Sequence, residues 1–502
     1  MARRWWVLGA LILSVILVGL DSTILNVALP TLAADLGAST AQLQWIVDAF
    51  VLVLAGLLLP AGALADRVGR RPVLVGGIVV FTLGSLAAAY SGTATWLIVA
   101  RAVMGAGAAV ILTVPLAVLP SIFDADERPK AIAGVTVALG LGLPLGPIVG
   151  GWLLAHVWWG AVFLINVPLG VLAAIGVTVL LPPSRESSPA PVDVPGAVLS
   201  TLGLVGVVYA VVEAPSRGWT SAPVLVSGTV GLALLAGFVA WERRTAAPMV
   251  DLALLRRPRF TWGTVAATTA MFAMLGLLFV VPLYLQSVRG FDPLGTGLRL
   301  LPVILGLVVG AKVAERLTVR LGARIPVVTG LLVIAAGLGW GATLEVGTAY
   351  GVLAGWLALT GAGLGLTITP AMDAVLGEIP EEHRGSGTAL TMALRQVGGA
   401  LGVAVLGSLA SAAYTGRLDV SGLPAEAAGA AQDSVAGGMA VARALGSPAL
   451  AAEVGGAYVH AMTVVLLTTA GLALAGAVLA ALRLPARGAA PVPEREPVTI
   501  AA

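Results

Sequence analysis

Three ionisable residues stand where a membrane span should exclude them. From Trp5 to Leu20 the chain carries no charge, and Asp21 follows that run, ~24 Å along a helix crossing a hydrocarbon core ~30 Å thick. If that helix ends at Pro30, Asp21 lies ~13 Å from its outer end, while Asp48 and Arg101 lie ~8 Å inside the second and fourth apolar runs. A carboxylate at such depth costs a few kcal/mol, so it is expected to face a bundle interior and to have a use. The chemistry open to it is reversible protonation. Burial favours the neutral acid and a neighbouring guanidinium favours the carboxylate, so two acids beside one arginine need not titrate together. Arg101 would hold one acid ionised while the other gains and loses a transported proton. Which acid does which stays open, and so does a purely structural Asp21–Arg101 pair tying the first and fourth helices.

The elements that must position these groups follow from composition. With 58% hydrophobic and 11% charged residues over 502 positions and a mean hydropathy of +1.00, the chain is a polytopic membrane protein and not a soluble domain around one core. Cysteine is absent, which removes disulfides, thiolate metal sites and cysteine nucleophiles. There is no HExxH, no phosphate-binding GxxxxGK and no triad around His156, His383 and His460, so neither an enzyme nor direct use of ATP is expected. No cofactor, metal site or nucleic-acid partner is expected, and the expected coupling ion is a proton.

Fourteen apolar stretches, bounded by charge, Pro or Trp, are long enough for helical crossings: 5–29, 43–65, 73–91, 96–119, 131–153, 159–181, 194–213, 222–241, 260–286, 297–317, 325–344, 349–373, 388–412 and 458–482. Of the 28 Lys and Arg, 20 fall in the loops on the side of the N-terminus and four in the opposite loops, which places both termini in the cytoplasm. The chain also repeats. Gly105-Ala-Gly107 with Pro115 recurs as Gly361-Ala-Gly363 with Pro370, and Arg67-Val-Gly69-Arg-Arg71 as Arg320-Leu-Gly322-Ala-Arg324. Thr136-Val-Ala-Leu139 recurs as Thr391-Met-Ala-Leu394, and all offsets lie between 253 and 256 residues. Two six-helix bundles are expected, 1–182 and 258–482, around a two-helix insert in 183–257, with a disordered tail from 483 to 502.

These residues resemble the major facilitator superfamily, specifically its fourteen-span drug:proton antiporters, which include exporters of quaternary ammonium compounds and antibiotics. GLDSTILNVALP is similar to that family's first-helix signature and puts Asp21 on its acid. Gly62-Ala-Leu-Ala-Asp66-Arg67-Val-Gly69-Arg70-Arg71 matches the loop motif between helices 2 and 3, RAVMGAG from Arg101 the helix 4 motif, and GLGLPLGPIVGG from Gly140 the antiporter motif of helix 5. PLYLQSVRGFDPLGTG from Pro282 resembles the stretch joining helices 9 and 10. The resemblance implies that Gly62, Asp66, Arg67, Gly69, Arg70 and Arg71 form a charged clamp that breaks when the halves rock. It also implies that Gly142, Gly146, Pro147, Gly150 and Gly151 form a seam limiting proton leak. Physically, glycines at that spacing allow close approach of a neighbouring backbone.

The implied activity is proton-coupled efflux of a lipophilic cation or antibiotic by a monomer in the bacterial cytoplasmic membrane. An uptake symporter of the same fold, or an exporter of an endogenous metabolite or lipid, is the alternative. Leu357 stands in the place of Arg101, and the helix 13 acids of some relatives are replaced by Thr391, Met392, Arg395 and Gln396, which puts divalent cations in doubt. Cargo would meet Asn26, Tyr284 and Gln286. Asp373 and the pair Lys312/Glu315 read as interfacial. The outer segment 415–457 either caps the mouth on short amphipathic helices or is a linker.

Overall fold

A computed structural model describes residues 2–124, 127–182, 193–245, 253–379 and 384–485. Most of the expected tail lies outside them, as do the side chains of Asp66 and of much of 128–144. Among the described residues all regular structure is helical, as lipid requires of a chain that cannot leave backbone donors and acceptors unpaired.

In order the helices are α1 (Ala2–Asp35), α2 (Thr40–Val68), α3 (Arg70–Ala89), α4 (Ala94–Ile122) and α5 (Arg128–His156), with a sixth span broken into α6 (Ala161–Leu164) and α7 (Asn166–Leu180). The insert is α8 (Val194–Arg217) and α9 (Ala222–Glu242). The second set is α10 (Pro258–Leu283), α11 (Pro293–Leu321), α12 (Arg324–Gly341), α13 (Tyr350–Leu376), α14 (Arg384–Arg417) and α17 (Pro448–Arg483), with the short α15 (Ala425–Asp433) and α16 (Val435–Ala444) before α17. Thirteen helices among the described residues are long and apolar enough to cross a membrane. The 29-residue α5 stands where the remaining expected span falls.

One expectation is corrected. Helix α1 does not stop at Pro30 but continues to Asp35. Proline removes one amide donor, the one that would reach the carbonyl of Asn26, and Leu29 and Leu32 are fully buried around it, so packing carries the helix on. Asp21 is therefore ~21 Å from the helix end, close to its middle.

The internal repeat is built into the packing. A side chain at Gly105 would run into the carbonyl of Phe50 on α2, and one at Gly361 into that of Val303 on α11. Gly107 is pressed on the carbonyl of Gly77 in α3, as Gly363 is on that of Gly330 in α12. Both loop glycines turn through positive φ, Gly69 at 117° and Gly322 at 76°, a region that disfavours any residue with a Cβ.

The halves meet at the end of the bundle where α1 finishes, the far end. There Gln44 of α2 donates through Nε2 to the carbonyls of Val403 (3.0 Å) and Ala404 (2.8 Å) on α14. Gln286 donates to the carbonyl of Val27 at 2.7 Å, and Thr40 to that of Asp433 at 3.0 Å. The segment 415–457 thus lies folded over this end, with Tyr414 donating to the carbonyl of Ala431. Helix α8 is wedged beside the α2–α14 seam. Thr201 presses on Gly56 of α2, the Tyr209 ring lies tilted beside that of Trp45, and Ser408 of α14 donates to the carbonyl of Val211 at 2.8 Å.

Candidate functional site

The structure brings two of the three expected ionisable groups together and separates the third. Asp21, fully buried on α1, accepts through Oδ2 from Nη1 of Arg101 at 2.5 Å. Its other oxygen accepts from Nδ2 of Asn166 at 3.2 Å. Asn166 is held in turn by Ser85 Oγ at 3.0 Å, which donates to the carbonyl of Phe163 at 2.8 Å. Arg101 is locked from its other side. Its Nε donates to the carbonyl of Ile46 at 3.1 Å, and its guanidinium lies 4.2 Å from the centroid of the Phe50 ring. Charge, hydrogen bonds and an aromatic face thus satisfy an ion pair taken wholly out of water.

Asp48 lies between Ile46 and Phe50 in sequence, yet its carboxylate makes no hydrogen bond. Successive helical residues turn by 100°, so the residues two before and two after it face roughly away from it. Those two hold Arg101, and the acid between them points elsewhere. It is fully buried.

Helix α5 packs on two faces. Gly142, Gly146 and Gly150, four apart, lie against Gly19, Thr23 and Ile24 of α1. Thr23 Oγ1 donates to the carbonyl of Gly142 at 2.8 Å. On the adjacent face Gly151 meets Pro293 and Leu294 of α11, and the carbonyl of Pro147 meets Gly297. The helix is a spacer between α1 and the second half. Replacing Gly146 by Leu should lower the thermal unfolding midpoint, because the new side chain overlaps Thr23 and the backbone of Ile24 and overpacking costs ~1–3 kcal/mol. Unfolding in detergent measures it; an unchanged midpoint would mean that the α1–α5 seam yields at no cost.

In the loop motif, Arg70 donates to the carbonyl of Ala117 on α4 at 2.9 Å and Gly62 rests near Thr113. Arg67 is exposed and Arg71 half-buried. The side chain of Asp66 lies outside the described residues. A clamp that the sequence did not announce sits nearby: Arg4 forms ion pairs with Asp124 and Glu127, both at 2.8 Å, tying the start of α1 to the α4–α5 turn.

A narrow, largely apolar cavity lies below the closed far end, walled by Thr23, Asn26, Pro147, Met274, Leu278, Leu300, Val303, Ile304, Leu307 and Leu364. Of the three expected cargo contacts, Asn26 is on its wall. Tyr284 and Gln286 are not: the Tyr284 hydroxyl is spent on the carbonyl of Glu345 (3.2 Å), and the Gln286 amide joins the halves at Val27. Lys312 and Glu315 form an exposed pair at 2.9 Å, and Asp373 is exposed. Asn166 and Gln44 were missed; an amide inside an apolar run was the available signal.

Two helical repeats closed on each other at one end, with a buried ion pair inside the first and a cavity between them, have the build of a membrane transporter. The chain matches the model of the Major Facilitator Superfamily over residues 11–403 and belongs to that family of membrane transporters. It is 36% identical over 409 residues to the tetracenomycin C resistance and export protein of Streptomyces glaucescens, covering 81% of this chain and 76% of that one. It is 35% identical over 444 residues to the multidrug efflux pump LfrA of Mycolicibacterium smegmatis, 88% of each. The methyl viologen resistance protein SmvA of Salmonella typhimurium is 33% identical over 451 residues, 89% of this chain and 90% of that one. The fold is shared with a bacterial homologue of the human lysosomal transporter Spinster in an inward-facing, unoccupied conformation (TM-score 0.70, 17% identity, 96% of this chain and 98% of that one). It is shared also with the xylose transporter XylE of E. coli (TM-score 0.59, 13% identity, 97% and 98%).

Proposed function

We propose that the chain is a proton-coupled antiporter that exports lipophilic drugs or antibiotics by alternating access, with the closed far end on the outer side of a bacterial cytoplasmic membrane and both termini in the cytoplasm. The drug-efflux and resistance relatives support export, and the Arg excess on the terminal side supports the orientation. The observation that carries the coupling is the division of labour between the acids. The Asp21 carboxyl is held by Arg101 and Asn166, whereas an ionised Asp48 would have no donor and its protonated form buries no charge. Asp48 is then the group that takes a proton from the outer side and releases it inward as cargo leaves. The cationic character expected of the cargo has no carboxylate behind it on the described cavity wall.

Inverted vesicles test the reading. With an acidic lumen, a lipophilic dye should accumulate inside, and a protonophore should abolish the accumulation. Dye driven out of the lumen by the same gradient would mark an uptake symporter.

A further inference from the structure

Arg395 is a charge for which the proton cycle has no use. It lies on α14 eleven residues after the helix begins, ~17 Å along its axis. It is half-buried, its Nε is enclosed without a partner, and among the described residues its guanidinium makes no hydrogen bond or ion pair. Other arginines within the spans have a partner for the guanidinium, although the Nε of Arg299 is enclosed without one, like that of Arg395. Arg101 has Asp21. Arg299 donates to the carbonyl of Gly295 and lies 3.7 Å from the centroid of the Phe291 ring. Arg289 donates to the carbonyl of Thr348, and Arg217 pairs with Glu213. A guanidinium keeps its proton and presents five donors in a planar fork suited to an oxyanion. Left partly buried without a counter-ion it is costly, and such a residue within a span marks the path of what is carried.

Its position fits that use. Gly398, Gly399 and Gly402 press α14 on Thr268, Leu275 and Phe272 of α10, and Arg395 precedes Gly399 by one turn on that face. The α2–α14 lock made by Gln44 begins only at Val403, two turns further on. Arg395 therefore stands on the cytoplasmic side of the lock, and Gln396, a neutral amide, follows it.

We propose that Arg395 receives an acidic group of the cargo, so that the transporter accepts lipophilic acids, carrying a carboxylate or an ionised phenol, from the cytoplasmic side. This rests on the efflux reading for direction but not for binding. The competing use of the same charge is a pair with Asp48 in the opposite conformation.

The purified full-length protein in nanodiscs separates them, with fluorescein as the anionic probe and ethidium as the cationic one. Equilibrium binding, which needs no proton gradient, should show fluorescein binding weakened at least about tenfold in Arg395→Gln and kept within about threefold in Arg395→Lys, as expected for a charge-assisted contact. Ethidium binding should be unchanged. Equal loss of both probes in Arg395→Gln would assign the residue to gating and overturn the proposal, as would unaltered fluorescein binding or a wild type that binds ethidium alone. Failure of the efflux reading shows differently: fluorescein binds in an Arg395-dependent way, yet a pH gradient moves neither dye.

Discussion

Asp48→Asn should leave a transporter that exchanges cargo but cannot concentrate it. Two pH units supply ~2.7 kcal/mol per proton, enough for ~100-fold accumulation in a one-for-one exchange. If Asp48 carries that proton, the amide lowers accumulation in inverted vesicles from that level to none. The substitution is nearly isosteric and the site is buried without hydrogen bonds, so the fold should tolerate it. Downhill counterflow of labelled against unlabelled dye should persist, because the α2–α14 lock and the cavity wall do not include Asp48. A variant that still accumulates dye at wild-type level removes Asp48 from the coupling. One that loses counterflow as well makes it part of the rocking machinery.

Arg101→Met is expected to lower stability sharply, by ~3–5 kcal/mol, since it leaves the Asp21 carboxyl without its ion-pair partner in a water-free site. Asn166 alone donates to that carboxylate afterwards. Adding Asp21→Asn should restore much of the loss, because removing both charges leaves little to desolvate; the double variant should exceed additivity by ~2 kcal/mol. Thermal unfolding in detergent reads the cycle, and export should be absent from all three variants. Additive losses would mean that the pair contributes no mutual stabilisation.

Why some of this was legible and some was not comes down to range. Asp21, Asp48 and Arg101 announce themselves because a charge in an apolar run is anomalous on local grounds alone. The repeat was legible because Gly105 and Gly361 must both admit a carbonyl of the neighbouring helix, a demand no other residue meets. The direction of the Asp48 side chain was not, since it depends on which flank of α2 faces α4, and a two-residue step reverses it. Helix α1 outlasted Pro30 because burial of Leu29 and Leu32 outweighed one lost hydrogen bond, a balance struck by contacts distant in sequence. Tyr284 and Gln286 looked like cargo contacts from polarity, but their partners, Glu345 and Val27, lie far along the chain.

The wedge formed by α8 makes the molecule's two flanks unequal toward lipid. Acyl chains approaching between α2 and α14 meet Thr201, Tyr209 and Val211 of the insert before they reach the crevice, whereas among the described residues no inserted helix lies against the α5–α11 flank. On the proposed export reading, a drug dissolved in the bilayer would meet one flank shuttered by the insert and one left without that cover.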